Sequence, residues 1–167
     1  MTPTEKSAIE PLRFDNGSPK LITGLSGQFS PASMQGISAL WQRFVPHLGK
    51  IPGQVGNVAY GVVVDPTMGQ GEFSVLCGVE VPEASAVPSE FTNMALPALR
   101  YAVFTHPGDV TTISQTISNI FRQWLPQSGQ QLAQAGPGTP TFIERYGERF
   151  NSQTLSGDIE VWVPVKK

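Results

Sequence analysis

The chain has 167 residues, 40% of them hydrophobic and 14% charged, a balance that excludes global disorder and supplies enough apolar side chains for a real core. Eleven Lys and Arg against thirteen Asp and Glu leave a formal charge of −2 with no basic run, so no direct nucleic-acid partner is expected. One cysteine, Cys77, and two separated histidines exclude an internal disulfide and a structural zinc site; no metal or cofactor is expected, and the cytoplasm is the expected location. No stretch approaches the roughly 20 apolar residues that cross a bilayer, so no membrane partner is expected either.

Residues 1–10 are polar and expected to fray. Leu12-Arg13-Phe14 reads as a short strand running into a turn at Asp15-Asn16-Gly17, since Asn-Gly tolerates positive φ. Residues 21–29 form the next strand. Ser30-Pro31 then supplies an N-cap and a first-turn proline for a helix whose apolar positions, Ile37, Leu40, Trp41, Phe44, Val45 and Leu48, share one face at a period of 3.6. Pro46 should end or kink it. Residues 57–64 and 72–81 are β-branched runs joined by Asp65-Pro66-Thr67-Met68-Gly69, which predicts an antiparallel hairpin. The proline-bearing stretch 82–97 reads as a connection. Residues 99–105 predict a strand, and Pro107-Gly108-Asp109 leads into a second helix with Ile113, Ile117, Ile120, Phe121 and Trp124 on its apolar face, stopped by Pro126. After a Gly/Gln/Pro stretch at 127–140, residues 141–146 and 158–165 predict two last strands.

The second half repeats the first. Shifted by 80 positions, Gly36-Ile-Ser-Ala-Leu-Trp-Gln-Arg-Phe-Val-Pro46 lies over Thr116-Ile-Ser-Asn-Ile-Phe-Arg-Gln-Trp-Leu-Pro126, with Ile, Ser and Pro identical and Leu40/Ile120, Trp41/Phe121, Phe44/Trp124 and Val45/Leu125 alike. The shared terminal proline and the common strand, helix, hairpin order point to duplication. The fold class is therefore α+β: tandem βαββ modules related by a pseudo-twofold, with helices on one side of a largely antiparallel sheet and a cleft between the modules. One domain, residues 11–167, is expected, its first module at about 11–82 and its second at about 97–166.

No phosphate loop, dinucleotide fingerprint, His-Glu-x-x-His or nucleophile elbow occurs, and Gly24-Leu25-Ser26-Gly27 misses the elbow by one residue. Cys77 lies in an apolar run that suits a buried, inert thiol, and His47 and His106 lie at element ends that suit exposure or capping. Most carboxylates fall in tails, turns or strand ends. Glu144, in Phe142-Ile-Glu144-Arg-Tyr146, shares a strand face with Phe142 and Tyr146, and Glu160 shares one with Trp162. Each is either a solvated strand glutamate or an acid at the floor of an aromatic pocket, where an organic cation with apolar surface would be its partner.

Leu21-Ile-Thr-Gly24, Leu40-Trp41-Gln-Arg-Phe44, Tyr60-Gly61, Gly78-Val-Glu-Val81, Leu96-Pro97 with Tyr101-Ala-Val-Phe104, Phe142-Ile-Glu144-Arg-Tyr146 and Ile159-Glu-Val-Trp-Val-Pro164 resemble, in that order, the GyrI-like or AraC-type effector-binding domain family. The resemblance covers about residues 11–166 and is nearest to stand-alone members, such as those on mobile integron cassettes of Vibrio. It implies the tandem βαββ fold and a multidrug-binding role related to antibiotic resistance. It matches Glu144 to the buried acid that receives cationic drugs in transcription regulators, and Tyr60 to a pocket wall. Trp41, Phe104, Leu76 and Trp162 are added as wall positions from side-chain direction, although core packing accounts equally well for Trp41 and Trp162. No helix-turn-helix or winged-helix segment precedes residue 11, so a separate DNA-binding or regulatory partner protein is expected for any role in transcription.

The expected function is stand-alone binding of bulky lipophilic organic cations such as drugs, antibiotics or dyes, with no catalytic residue. One alternative is a GyrI-like hydrolase acting on cyclopropane-bearing toxins through a glutamate and a tryptophan. The other is an inhibitor acting on a partner such as gyrase.

Overall fold

The structure, a computed structural model, describes residues 10–33, 35–65, 71–83, 90–133, 139–151 and 153–166. The expected fraying of 1–9, the hairpin turn at 66–69 and the centre of the 127–140 stretch lie outside the described residues. The first half runs β1 (Arg13–Gly17), β2 (Lys20–Phe29), α1 (Gly36–Phe44), β3 (Ala59–Val64) and β4 (Phe73–Val81). The second repeats that order: β5 (Thr92–Leu96), β6 (Leu99–His106), α2 (Ile113–Asn119), a π turn (Ile120–Trp124), α3 (Leu125–Ser128), β7 (Phe142–Tyr146) and β8 (Ile159–Val165).

All eight strands join one sheet, antiparallel at every pairing, in the order β1-β6-β8-β7-β3-β4-β2-β5. That order forces curvature. β1 and β2 lie six strand spacings apart along the sheet, about 29 Å if it were flat. Only Ser18 and Pro19 separate them in sequence, a reach of about 11 Å. The β5-to-β6 step makes the same demand, so the sheet curls until its ends approach. Gly24 and Gly78, direct partners on β2 and β4, permit a close strand approach: a Cβ on Gly24 would strike the Cys77 carbonyl oxygen, and one on Gly78 the Thr23 carbonyl oxygen.

Two apolar layers result. On one face, α1 lays Leu40 and Phe44 over Val63, Val75, Cys77 and Val79, while the second helix lays Ile113, Ile120 and Trp124 over Ala102, Phe104, Val161 and Val163. The other face has no helix. It still buries Ile22, Val62, Val103, Tyr60, Leu76, Tyr101 and Ile143 as one cluster, because the curled sheet wraps around them. The 80-residue equivalence holds in burial as well: Leu40 and Ile120 are fully enclosed, Phe44 and Trp124 are buried, and Trp41 and Phe121 are half-buried.

Four details differ from the sequence expectation. Asn16 and Gly17 do not turn; they pair with Arg100 and Leu99, because β1 crosses over to the other half and finds a partner there. Its counterpart β5, inside the expected 82–97 connection, pairs with β2 in the same exchanged way. Pro126 does not stop the second helix. Leu125 donates its N–H to Ile120 O, five residues back, and this widened turn makes room for a proline that would otherwise crowd the carbonyl four residues before it. The helix then runs to Ser128 and closes at Gly129, at φ 78°. In α1 the equivalent Pro46 is met by tightening, a 3-10 turn at Val45–His47. Finally, His106 is buried, not exposed: its Nε2 lies 2.6 Å from the Asp109 carbonyl, to which only a donor N–H can bond, and its Nδ1 lies 2.7 Å from the Thr116 hydroxyl.

Candidate functional site

Strand registry places Glu144. On the helix-covered face, the direct partners across six strands are Phe104 (β6), Val161 (β8), Glu144 (β7), Gly61 (β3), Cys77 (β4) and Leu25 (β2). This row is symmetric about the β3/β7 seam: Val161 answers Cys77, and Phe104 answers Leu25. Its two central positions alone break the apolar pattern, one with a carboxylate and the other with no side chain.

Glu144 is half-buried, and of its carboxylate oxygens Oε1 is engaged by a protein hydrogen bond. Burial pushes that carboxyl above the ordinary carboxylate range, because a charge loses more than a neutral acid on leaving water. The Tyr146 hydroxyl, donating to Glu144 Oε1 at 2.6 Å, pulls it part of the way back. The same carboxylate adds to burial in driving the Tyr146 hydroxyl and the Cys77 thiol strongly upward, so neither ionises at physiological pH. Among the described residues Glu144 has no ion-pair partner.

Aromatic rings lie along the seam beside this acid. Trp41, from α1, lies over Gly61 and meets Tyr146 edge-on, ring centroids 5.3 Å apart. Tyr146 in turn meets Phe150 at 5.1 Å, and Phe121 of the π turn meets Phe142 at 6.0 Å. Trp41, Leu48 and Phe142 touch the apolar clusters under both helices and so bridge the two halves at the seam. The arrangement sets a half-buried carboxyl group beside apolar rings, chemistry that suits a cation with apolar surface of its own.

The six residues expected to form the site divide between the faces. Glu144, Trp41 and Phe104 lie on the helix side, although Phe104 is core there, 2% exposed and packed edge-on against Trp124 at 4.9 Å. Tyr60, Leu76 and Trp162 lie on the opposite, helix-free side. One residue of strand separates Tyr60 from Gly61, and that single step reverses side-chain direction. Glu160 also lies there, in a row with Arg145 and Tyr60 across β8, β7 and β3. It accepts the Trp162 indole N–H at 2.9 Å, with Arg13 at 3.5 Å and Arg145 at 3.7 Å. Glu160 is thus a paired acid and Glu144 an unpaired one. Sequence reasoning grouped Phe142 and Tyr146 with Glu144 on one strand face but did not count them, Gly61 or Phe121 among the candidate site residues. For Tyr146 the i, i+2 spacing from Glu144 already carried the signal.

Among the described residues no group of His, Cys, Asp and Glu could hold a metal ion, and no helix is long and apolar enough to cross a membrane.

The duplicated βαββ order closed into one antiparallel sheet is the fold of a small-molecule binding domain. Residues 13–166 match the family described as GyrI-like small molecule binding domain, and the chain belongs to it. It is 30% identical over 139 residues to the transcriptional regulator BrlR of Pseudomonas aeruginosa, covering 82% of this chain and 49% of that one. The chain therefore spans about half the length of that regulator. Its fold matches SAV2435, solved bound to tetraphenylphosphonium, with a TM-score of 0.71 at 19% identity, over 92% of this chain and 93% of that one. It also matches the integron cassette protein VCH_CASS2 of Vibrio cholerae, with a TM-score of 0.65 at 16% identity, over 95% and 97%.

Proposed function

We propose that the protein binds bulky lipophilic organic cations on the helix-covered face, with Glu144 as the countercharge and Trp41, Tyr146, Phe121 and Phe142 as the apolar surround. The observation that carries this is the Glu144 carboxylate itself, half-buried at the seam, bonded to a tyrosine hydroxyl and, among the described residues, without an ion-pair partner. An unpaired buried charge is costly unless something compensates it, and a ligand cation is the compensation such a geometry favours. The tetraphenylphosphonium bound by a protein of the same fold supports this choice of ligand class. Tyr60, Leu76 and Trp162 are left out of this site because they face the other way; Phe104 supports it from beneath the second helix.

In the same proposal the chain acts in the cytoplasm, where sequestering a toxic cation would lower its free concentration and so favour antibiotic resistance. Any effect on transcription would pass through a separate DNA-binding or regulatory partner, an idea drawn from the regulator it resembles over half that protein's length. Calorimetry with tetraphenylphosphonium, neutral triphenylphosphine oxide and anionic tetraphenylborate tests the charge requirement. The cation should bind at least tenfold more tightly than either, about 1.4 kcal/mol. Equal affinity for all three would refute it.

A further inference from the structure

The space above Gly61 is not vacant. A methyl group built on Gly61 would lie 3.2 Å from Trp41 Cζ2 and 3.5 Å from Glu144 Oε1, so the edge of the indole and the carboxylate meet at the hollow left by the missing side chain. Any ligand that is to contact Glu144 from the α1 side has to take that hollow from the indole. Trp41 is free to yield it. The residue is half-buried, so solvent lies on one side of it. Its ring contacts are edge contacts, to Tyr146 at 5.3 Å and Phe44 at 6.2 Å. Trp162 is anchored through its indole N–H to Glu160, whereas Trp41 has no such hydrogen bond among the described residues. In the other half the equivalent residue, Phe121, packs on Phe142 instead.

We propose that Trp41 is the protein's own occupant of the ligand hollow, and that a cationic ligand inserts one aryl ring over Gly61 as the indole moves aside. This rests on the cation-binding function proposed above and extends it to a substrate class. A hollow shaped for the edge of an indole accepts a flat ring, so aryl-bearing cations should be preferred over tetraalkylammonium ions of matched volume. It also makes Trp41 a residue that governs access: while the indole is seated, the binding-competent fraction of the protein is reduced, and the apparent affinity and association rate fall with it.

Stopped-flow mixing of the full chain with tetraphenylphosphonium tests this. Trp41→Ala should raise the association rate constant at least fivefold, and Trp41→Phe, which keeps an aromatic ring in the apolar layer, should fall between that and the wild type. Should Trp41→Ala not fold, Trp41→Phe carries the comparison. In protein labelled with 5-fluorotryptophan, the Trp41 resonance should move on adding tetraphenylphosphonium while that of Trp124 stays. Unchanged or slower association in both variants, or a stationary Trp41 resonance with the cation bound, would overturn the proposal and leave the cation site intact. Failure of the wild type to bind tetraphenylphosphonium at all would overturn the cation site itself and this proposal with it.

Discussion

Gly61 and Glu144 face each other as direct partners across the β3/β7 seam, and they hold equivalent places in the two halves of the chain. Duplication delivers the same strand position twice. Here one copy keeps no side chain and the other carries a carboxylate, so the halves diverge where they touch. A missing side chain on one side of the axis, its place taken by the Trp41 indole, faces a carboxyl group on the other.

The first consequence concerns stability and pH. The folded-state pKa of Glu144 is raised above its unfolded value, so between the two the folded protein binds more protons than the unfolded chain. Stability then falls as pH rises through that window, and below the unfolded pKa there is no penalty, because the acid is neutral in both states. Glu144→Gln keeps an acceptor for Tyr146. Thermal melts should show it matching the wild type at acid pH and equalling or exceeding it at neutral pH.

Tyr146→Phe removes the hydrogen bond that favours the ionised form of Glu144. The pH midpoint for binding tetraphenylphosphonium, which needs the carboxylate charged, should therefore move upward. Calorimetric titrations across pH check this; a midpoint that stays put or falls would show that the hydroxyl does not hold the charge.

The two halves also make a packing prediction. Phe44→Ala and Trp124→Ala, equivalent buried positions at 0% and 8% exposure, should each cost about 3–5 kcal/mol in chemical denaturation. Trp41→Ala and Phe121→Ala, both half-buried, should cost less.

Much of this fold was legible in the sequence, because the periodicities of α1 and the second helix and the alternation in β7 and β8 follow from which face is buried, while β3 and β4, buried on both faces, show as continuous β-branched runs. β1 and β5 were harder. Each is short, largely exposed and paired with a strand of the other half, so its partner rather than its own sequence makes it a strand. The helical continuation through Pro126 was hidden for a similar reason: a π turn is a backbone response to a local clash and leaves no apolar period. At the site, the alternation rule correctly grouped Glu144 with Phe142 and Tyr146. The wall residues scattered, since Tyr60, Leu76 and Trp162 can be assigned to a face only once the sheet order is known.

On catalysis, incubation with a cyclopropane-bearing alkylator should leave the compound intact by mass spectrometry. The Tyr146 hydroxyl bonded to Glu144 is held far from ionisation by burial and by the neighbouring carboxylate, so it gives Glu144 no second base. Turnover that disappears in Glu144→Ala would establish the hydrolase alternative.

The most direct test compares the affinities of Glu144→Gln and Glu160→Gln for tetraphenylphosphonium, by calorimetry at neutral pH. Glu160 already has Arg13, Arg145 and the Trp162 indole, on the face away from the helices, so its replacement should change cation affinity by less than about 1 kcal/mol. Loss of the charge at Glu144 should cost on the order of 2 kcal/mol or more, about thirtyfold in affinity. Affinity within twofold of wild type in Glu144→Gln, with binding abolished in Glu160→Gln, would contradict the account and move the site to the opposite face of the sheet.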